Sequence, residues 1–405
     1  MLSPTSTDVV KATLPAIGAA IGDITPLFYR KMFDAHPELE RDLFNRGNQK
    51  AGDQPRALAA SIATYATVLV TPDAPAPLDL LRRIGHKHAS LGIKPEEYEI
   101  VHTHLFAAIV EVLGDAVTPE VAAAWDEVYW LMANDLITLE KELYAEAEVT
   151  PETVWRDVVV TERRQESPDT VSFTVAAPDG SPLATAKPGQ YVSVAVRLPD
   201  GARQIRQYSL TRAAAGQWAF SVKAIAASVA EDGTEIPEGE VSNFLHRTVF
   251  EGDTLTTSVP FGDLVLDDSD DPLLLVSAGI GSTPILGMLN YLSHTGSNRR
   301  VTVLHADRSL ARHAHRQQLS ALVATLPDAT LHRWYEELGE RGAAADVRAG
   351  RVDLAGVEIQ GGARAYLCGP LPFMQAVRSD LVDRGVAADR IHYEVFGPDK
   401  WVAAN

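Results

Sequence analysis

The sequence predicts a multidomain chain: an all-α domain, then a β domain, then an α/β domain built on a parallel sheet. Three observations predict it. The chain has 405 residues, and at roughly 100–200 residues per domain that length asks for two to four. The spacing of apolar residues changes along the chain, from every third and fourth position, to every second, to short apolar runs alternating with helical stretches. The first change falls on an acidic stretch at 145–152, Ala-Glu-Ala-Glu-Val-Thr-Pro-Glu, which reads as a linker. The predicted domains are therefore 1–147, 151–265 and 266–405.

Composition narrows the class. Apolar residues make up 46% and charged residues 22%, the balance of a soluble globular chain, not of a disordered, collagenous or coiled-coil one. The net charge of −18 argues against binding a nucleic-acid backbone, which calls for a basic face. A single cysteine, Cys368, excludes an intrachain disulfide and a cysteine-cluster metal site. That suits a reducing compartment, and with no basic apolar leader in Met1-Leu2-Ser3-Pro4-Thr5 the expected location is the cytoplasm. Pro272–Asn298 carries no charged side chain, but Gly279, Gly281, Pro284 and Gly287 divide it. It reads as strand, turn and helix, not as a membrane span.

In residues 1–147, Pro37, Gly52, Pro72, Pro75, Pro77, Pro95 and Pro119 mark breaks between helices. Polar residues on the apolar stripes are the informative ones. Leu81, Ile84, Gly85 and His88 share one face, whereas His86 lies about 160° away round the helix. Taken alone, His88 has the pattern of a hydrogen-bonded core histidine. Asp53 reads as a helix cap with Pro55 in the first turn, and Gln54 heads the stripe Leu58, Ile62, Tyr65, Leu69. Tyr29 lies inward with Met32 and Phe33, and Tyr98 inward with Val101, Leu105 and Ile109. Glu140 interrupts the stripe Trp125, Val128, Met132, Leu136, Leu143, so it either snorkels out or is held by a partner.

These residues together resemble the globin domain of the flavohaemoglobins. The resemblance rests on Phe28-Tyr29, Phe44-Asn45, Asn48-Gln49 followed by Gly52-Asp53-Gln54, Lys87-His88 and 93–98, Ile-Lys-Pro-Glu-Glu-Tyr. It implies haem b with His88 as iron ligand, Phe44 packed on the porphyrin, and Lys87 beside it. It also implies Tyr29 and Gln54 on the distal side with Leu58 over the iron, and Tyr98 and Glu140 as the proximal dyad.

The middle segment shows strands at Asp157–Thr161, Val171–Ala176, Tyr191–Val196, Arg206–Leu210 and Trp218–Val222, separated by turns such as Asp179-Gly180. Arg206-Gln207-Tyr208-Ser209 places a cation, a ring and a hydroxyl on alternate faces of a strand. Gly239-Glu240-Val241-Ser242-Asn243 is a glycine turn into a short helix, Asn243–Arg247, whose first amides suit a pyrophosphate. With Pro188-Gly189-Gln190-Tyr191, the set resembles the antiparallel β-barrel FAD domain of the ferredoxin reductase-like family. The resemblance implies that Tyr191, Arg206, Gln207, Tyr208, Ser209, Gly239, Val241, Ser242 and Asn243 hold FAD. The loop 226–238, with Glu231-Asp232-Gly233, is longer and more acidic than that family's pattern.

The last segment alternates strands (Leu273–Ser277, Val301–His305, Leu331–Tyr335, Arg364–Leu367, His392–Val395) with helices, the pattern of a parallel sheet covered on both faces. After the first strand, Gly279, Ile280, Gly281, Ser282, Thr283 and Pro284 form a turn in which the glycines admit close backbone approach. Thr283 reads as a cap and Pro284 as the start of the helix. The third glycine of the dinucleotide fingerprint is missing. The same family resemblance accounts for Pro284 there and implies NAD(P) binding by this turn and by Cys368, Gly369 and Pro370. It also places Glu394 and Phe396, in 393–398, against the flavin. Asp307 favours a ribose hydroxyl and Arg308 a 2′-phosphate, so NADH and NADPH both stand.

All three segments in this order match the flavohaemoglobins end to end. That implies a nitric oxide dioxygenase with O₂ and NO as substrates and electrons from NADH or NADPH through FAD, acting as a monomer. The resemblance also allows a lipid in the distal haem pocket, and the alternatives are a haem-flavin reductase of alkyl or lipid hydroperoxides and a non-enzymatic O₂ sensor or carrier.

Overall fold

The first predicted segment is mostly helical because its apolar stripes recur at the helical period. In the computed structural model, which describes residues 2–50, 52–71, 77–229, 233, 235–339 and 346–397, this segment forms α1 (Pro4–Ala35), α2 (Pro37–Asp42), α3 (Arg46–Lys50), α4 (Asp53–Val70), α5 (Pro77–Leu91), α6 (Glu97–Leu113) and α7 (Pro119–Glu146). Ser3 caps α1, its Oγ accepting from Ser6 N at 3.2 Å, and Thr118 caps α7. The long stripe of α7 is buried as its spacing predicts, Trp125, Val128, Met132, Leu136 and Leu143 with Glu140 among them. Gly85 lets α5 lie close on α7: a Cβ there would meet the side chain of Leu139 at 2.5 Å. One expectation is corrected: the residue preceding α4 is Gly52 in the left-handed region (φ +68°), and Asp53 is the first helical residue, not the cap. The predicted breaks at Pro72 and Pro75 lie outside the described residues.

The middle segment is a closed barrel of β1 (Trp155–Ser167), β2 (Thr170–Ala176), β3 (Tyr191–Arg197), β4 (Arg203–Ala214), β5 (Gln217–Lys223) and β8 (Thr254–Ser258), in the order β1-β2-β5-β4-β3-β8. Its interior is apolar: Val171, Phe173, Val175, Val192, Val194, Phe220 and Val222 are buried. The closing strand β8 has no counterpart among the predicted strands, because Thr-Leu-Thr-Thr-Ser carries one large apolar residue. Its pairing is decided by barrel closure. Within the acidic loop, β6 (Ser228–Val229) pairs antiparallel with β7 (Glu235–Ile236), while Glu231 and Asp232 lie outside the described residues. Then comes α8 (Glu240–Thr248), which begins three residues earlier than its spacing predicts.

The last segment is a six-stranded sheet, β12 (Val347–Ala349), β11 (Ala329–Glu337), β10 (Val301–Ser309), β9 (Leu273–Ala278), β13 (Arg364–Cys368), β14 (Ile391–Glu394), every neighbouring pair parallel. The connecting helices include α9 (Ser282–Thr295), α10 (Arg316–Thr325) and α11 (Leu371–Asp383). Chain order reverses between β9 and β13, so the loops leaving these two strands open the crevice where such sheets bind ligands. The apolar stretch 272–298 is β9, the glycine turn and α9; among the described residues no helix is long and apolar enough to cross a membrane.

By contact the chain forms two compact units. In one, the hairpin 195–206 of the barrel packs with the helical segment; the other holds the remainder of the barrel and the parallel sheet.

Candidate functional site

On α5, His88 finds two partners that are distant in sequence. Its Nδ1 lies 2.8 Å from Glu140 Oε1 on α7 and 3.0 Å from the Tyr98 hydroxyl on α6. Tyr98 donates to the same Glu140 oxygen at 2.6 Å. Glu140 is 2% exposed, so the alternative of a snorkelling carboxylate is settled in favour of a partnered one. Burial first, and then the neighbouring carboxylate, push the Tyr98 phenol well above its ordinary range, so it stays a donor. With Nδ1 engaged, the imidazole offers Nε2 to a ligand, in the tautomer a metal-binding histidine requires.

Tyr29, on α1, is buried among rings: Phe28 at 4.6 Å, Phe33 at 5.6 Å and Phe44 edge-on at 5.8 Å between centroids. Its hydroxyl lies beside the side-chain amides of Gln54 and Gln49. Burial raises its pKa, and the two amides oppose that in part. Leu58 packs with Phe44 against the cluster around Tyr29. Gln49 was quoted in the globin motif without a role of its own. It sits on the five-residue α3, too short to show a period, and its Nε2 is buried with no partner in full hydrogen-bond geometry. A buried orphaned amide beside a buried phenol fits a polar ligand held between apolar walls. Lys87 has its pKa pulled down by burial and by the Arg206 guanidinium.

Strand β4 carries the predicted run. Arg206 Nη1 donates to Ile205 O at 2.7 Å and to Gln204 Oε1 at 3.3 Å. Gln207 Nε2 donates to Ser193 Oγ at 3.0 Å. The Tyr208 ring stacks on Phe220 at 5.7 Å and 23°. Ser209 Oγ donates to Glu394 Oε2 at 3.2 Å, both residues buried, so Glu394 does more than plug the last strand. Tyr191 is buried and exchanges backbone hydrogen bonds with Phe261. At the α8 turn, Asn243 Nδ2 donates to Ile225 O at 2.8 Å and Gly239 O at 2.9 Å, and Ser242 Oγ donates to Gly239 O at 3.3 Å. Ser242 and Asn243 thus hold the turn with their side chains, and Val241 is buried beneath it. Phe396 is 48% exposed, and Pro398 of its motif lies outside the described residues.

After β9, Gly279 takes φ +54° with open space where a side chain would point. Gly281 has none: a Cβ there would collide with the Cys368 carbonyl and Gly369 N. The helix starts at Ser282, so Thr283 is not its cap. Its hydroxyl instead donates to Ile280 O at 3.0 Å, and Pro284 falls in the first turn. Ser282 Oγ is buried without a partner. An open glycine and an orphaned hydroxyl at the start of a helix fit a pyrophosphate. Cys368 is buried, and Gly369 and Pro370 lead directly into α11. Asp307 accepts from Arg308 N at 2.7 Å, with Arg308 exposed.

Comparison with known proteins agrees with this organisation. The globin family model matches residues 27–136, the oxidoreductase FAD-binding domain 157–265 and the oxidoreductase NAD-binding domain 275–379. The flavohemoprotein of Bordetella pertussis is 43% identical over 98% of this chain and 99% of its own, and that of Deinococcus radiodurans 41% identical over 99% and 98%. The crystal structure of a flavohemoglobin from Malassezia yamatoensis with bound FAD and heme superposes with a TM-score of 0.86 at 36% identity, covering 98% of this chain and 100% of that one. The FAD/NAD-binding domain of a nitric oxide dioxygenase from Vibrio cholerae matches 60% of this chain and 99% of its own, with a TM-score of 0.54 and 36% identity.

Proposed function

Because the chain belongs to the flavohaemoglobins, haem- and flavin-dependent oxidoreductases drawing on NAD(P)H, we propose that it is a nitric oxide dioxygenase, a cytoplasmic monomer that converts NO and O₂ to nitrate. The observation that carries this reading is the buried Tyr29 hydroxyl beside the amides of Gln54 and Gln49. The name of the Vibrio cholerae relative supports it.

When bound, haem b supplies the iron at which O₂ and NO react, NADH or NADPH the hydride, and FAD the conversion of a two-electron donor into one-electron steps. His88 Nε2 would ligate the iron, with Phe44 and Lys87 beside the porphyrin. Glu140 at 2.8 Å keeps Nδ1 protonated and makes the imidazole a stronger electron donor. Tyr98 gives Glu140 a second partner, so the buried carboxylate is held in place from two sides.

On the other side Tyr29 remains protonated at neutral pH and presents an O–H donor, and Gln54 an N–H, where negative charge develops on the substrate. Leu58 keeps that region apolar. Arg206 would pair with the FAD phosphates, helped by Gly239, Val241, Ser242 and Asn243 at the start of α8. Tyr191, Gln207, Tyr208, Ser209, Glu394 and Phe396 would surround the isoalloxazine. The Ser209–Glu394 hydrogen bond holds a carboxylate that can take up or release a proton there. Gly279, Ile280, Gly281, Ser282, Thr283 and Pro284 would receive the NAD(P) pyrophosphate, with Cys368, Gly369 and Pro370 on the nicotinamide side.

A hydroperoxide reductase is the second reading, favoured by one observation: the carboxylate on Nδ1 of His88 is what cleavage of an O–O bond asks for. Stopped-flow mixing of NO with the reduced, oxygenated protein under NADH decides. The expected result is NO loss matched by nitrate. Persistent NO alongside turnover of an alkyl hydroperoxide would favour the second reading.

A further inference from the structure

Gln204, on β4 two residues before Arg206, is 0% exposed, and its amide uses every hydrogen bond it can make. Nε2 donates to Arg41 O and Phe44 O, both at 3.1 Å. Oε1 accepts from Arg46 N at 3.4 Å and from Arg206 Nη1 at 3.3 Å. Arg41, Phe44 and Arg46 belong to the short stretch from α2 to α3 in the same compact unit.

The neighbours of Gln204 strap that stretch as well. Arg203 N donates to Asp42 Oδ1 at 3.0 Å, and Arg46 Nη1 donates to Asp200 Oδ2 at 2.7 Å. Arg203 is itself braced, its guanidinium 4.3 Å over the Trp155 ring. Phe44, whose carbonyl Gln204 holds, sets its ring edge-on to Tyr29 at 5.8 Å and to Phe33 at 5.3 Å. One rigid amide therefore bonds on one side to the arginine read as a flavin-phosphate cation, and on the other to the backbone of the ring that packs on the distal tyrosine.

We propose that Gln204 is a positioning residue that couples flavin binding at Arg206 to the setting of Phe44 and Tyr29 in the haem pocket. The inference rests on the reading that Arg206 binds a flavin phosphate and Phe44 borders the haem. A phosphate oxygen competes with Gln204 Oε1 for the Arg206 Nη1 proton. The amide then follows Arg206 or loses that bond. Either change reaches Arg46 N and Phe44 O, because the four groups share one planar side chain that is itself shut off from solvent. Coupling of this kind is reciprocal: a ligand in the haem pocket alters FAD affinity by the same factor that FAD alters ligand affinity.

The test uses the full chain loaded with haem. The C–O stretch of CO bound to the reduced protein reports the polar field set by Tyr29, and it is recorded with FAD present and after FAD is stripped. The wild type should shift on loss of FAD. Gln204→Met, which keeps the volume and loses the amide, should show no such shift. Gln204→Asn, which keeps a buried amide too short to span the same groups, serves if Gln204→Met does not fold, with the same expected loss. A C–O stretch indifferent to FAD in the wild type, or an undiminished shift in the variants, overturns the coupling. Arg206→Ala separates the two readings. If it binds FAD as tightly as wild type, the phosphate role of Arg206 falls and takes the coupling with it. If it loses FAD while the Gln204 variants keep the full shift, only the coupling falls.

Discussion

Tyr29→Phe removes one oxygen and leaves the ring, so the packing on Phe28, Phe33 and Phe44 survives. What is lost is one O–H donor in a buried, mostly apolar setting. A hydrogen bond to a charged group is worth about 1.5–3 kcal/mol. The full value is not all forfeited, because the amides of Gln54 and Gln49, which lie beside that hydroxyl in the wild type, remain. Gln54 can then turn toward the ligand and recover part. A net loss of about 1.5–2.5 kcal/mol corresponds to an O₂ release rate raised roughly 10–70-fold. The assay is O₂ displacement by excess CO in a stopped-flow instrument, with NO consumption measured on the same preparation. NO turnover should fall in proportion at limiting O₂, while FAD reduction by NADH is unchanged. O₂ release and NO consumption at wild-type rates would refute the argument that this donor stabilises developing charge, and the hydroperoxide reading would then lead.

Four further outcomes are expected. His88→Ala should purify without stoichiometric haem while His86→Ala retains it, as read from the Soret band, since only His88 has its Nδ1 fixed by Glu140 and Tyr98. Arg206→Ala should weaken FAD binding about 10–100-fold while haem stays bound, measured by flavin release on gel filtration. Gly281→Ala drives a Cβ into the Cys368 carbonyl. It should cost about 1–3 kcal/mol of stability and slow FAD reduction by NAD(P)H, with the haem spectrum unaltered. Finally, burial and the neighbouring His305 hold His313 far below the ordinary histidine value of 6.5. A group depressed in the folded state contributes stability above its unfolded pKa and loses it as pH falls, so thermal stability should begin to drop below about pH 6.5. His313→Gln should flatten that slope when melting is followed by flavin fluorescence from pH 7.5 to 5.5.

Local pattern carried much of this protein. The stripe of α7 put Glu140 on the buried face of its helix, because helical period depends only on spacing along one element, but left open whether it snorkels out or is held by a partner. The same logic placed His88, Tyr98 and Tyr29 inward, and the glycine turn after β9 was legible because a backbone approach needs residues without side chains. Exact caps were not legible. Gly52 and Gly281 precede their helices where Asp53 and Thr283 were expected, since a left-handed or turn backbone can start a helix without a side-chain cap. Strand β8 was not legible either, for one apolar residue in five shows no alternation, and it is a strand because the barrel needs a sixth edge.

The polar partnerships belong to tertiary structure alone. Glu140 meets His88 across 52 positions, Ser209 meets Glu394 across 185, and Gln204 reaches Phe44 across 160. Gln49 and Gln204 carry no periodic signal. The spacing of apolar residues is a property of the chain and survives in the sequence. Which buried donor satisfies which buried acceptor is settled only when helices and strands pack, because the cost of leaving either unpaired arises only once water has gone.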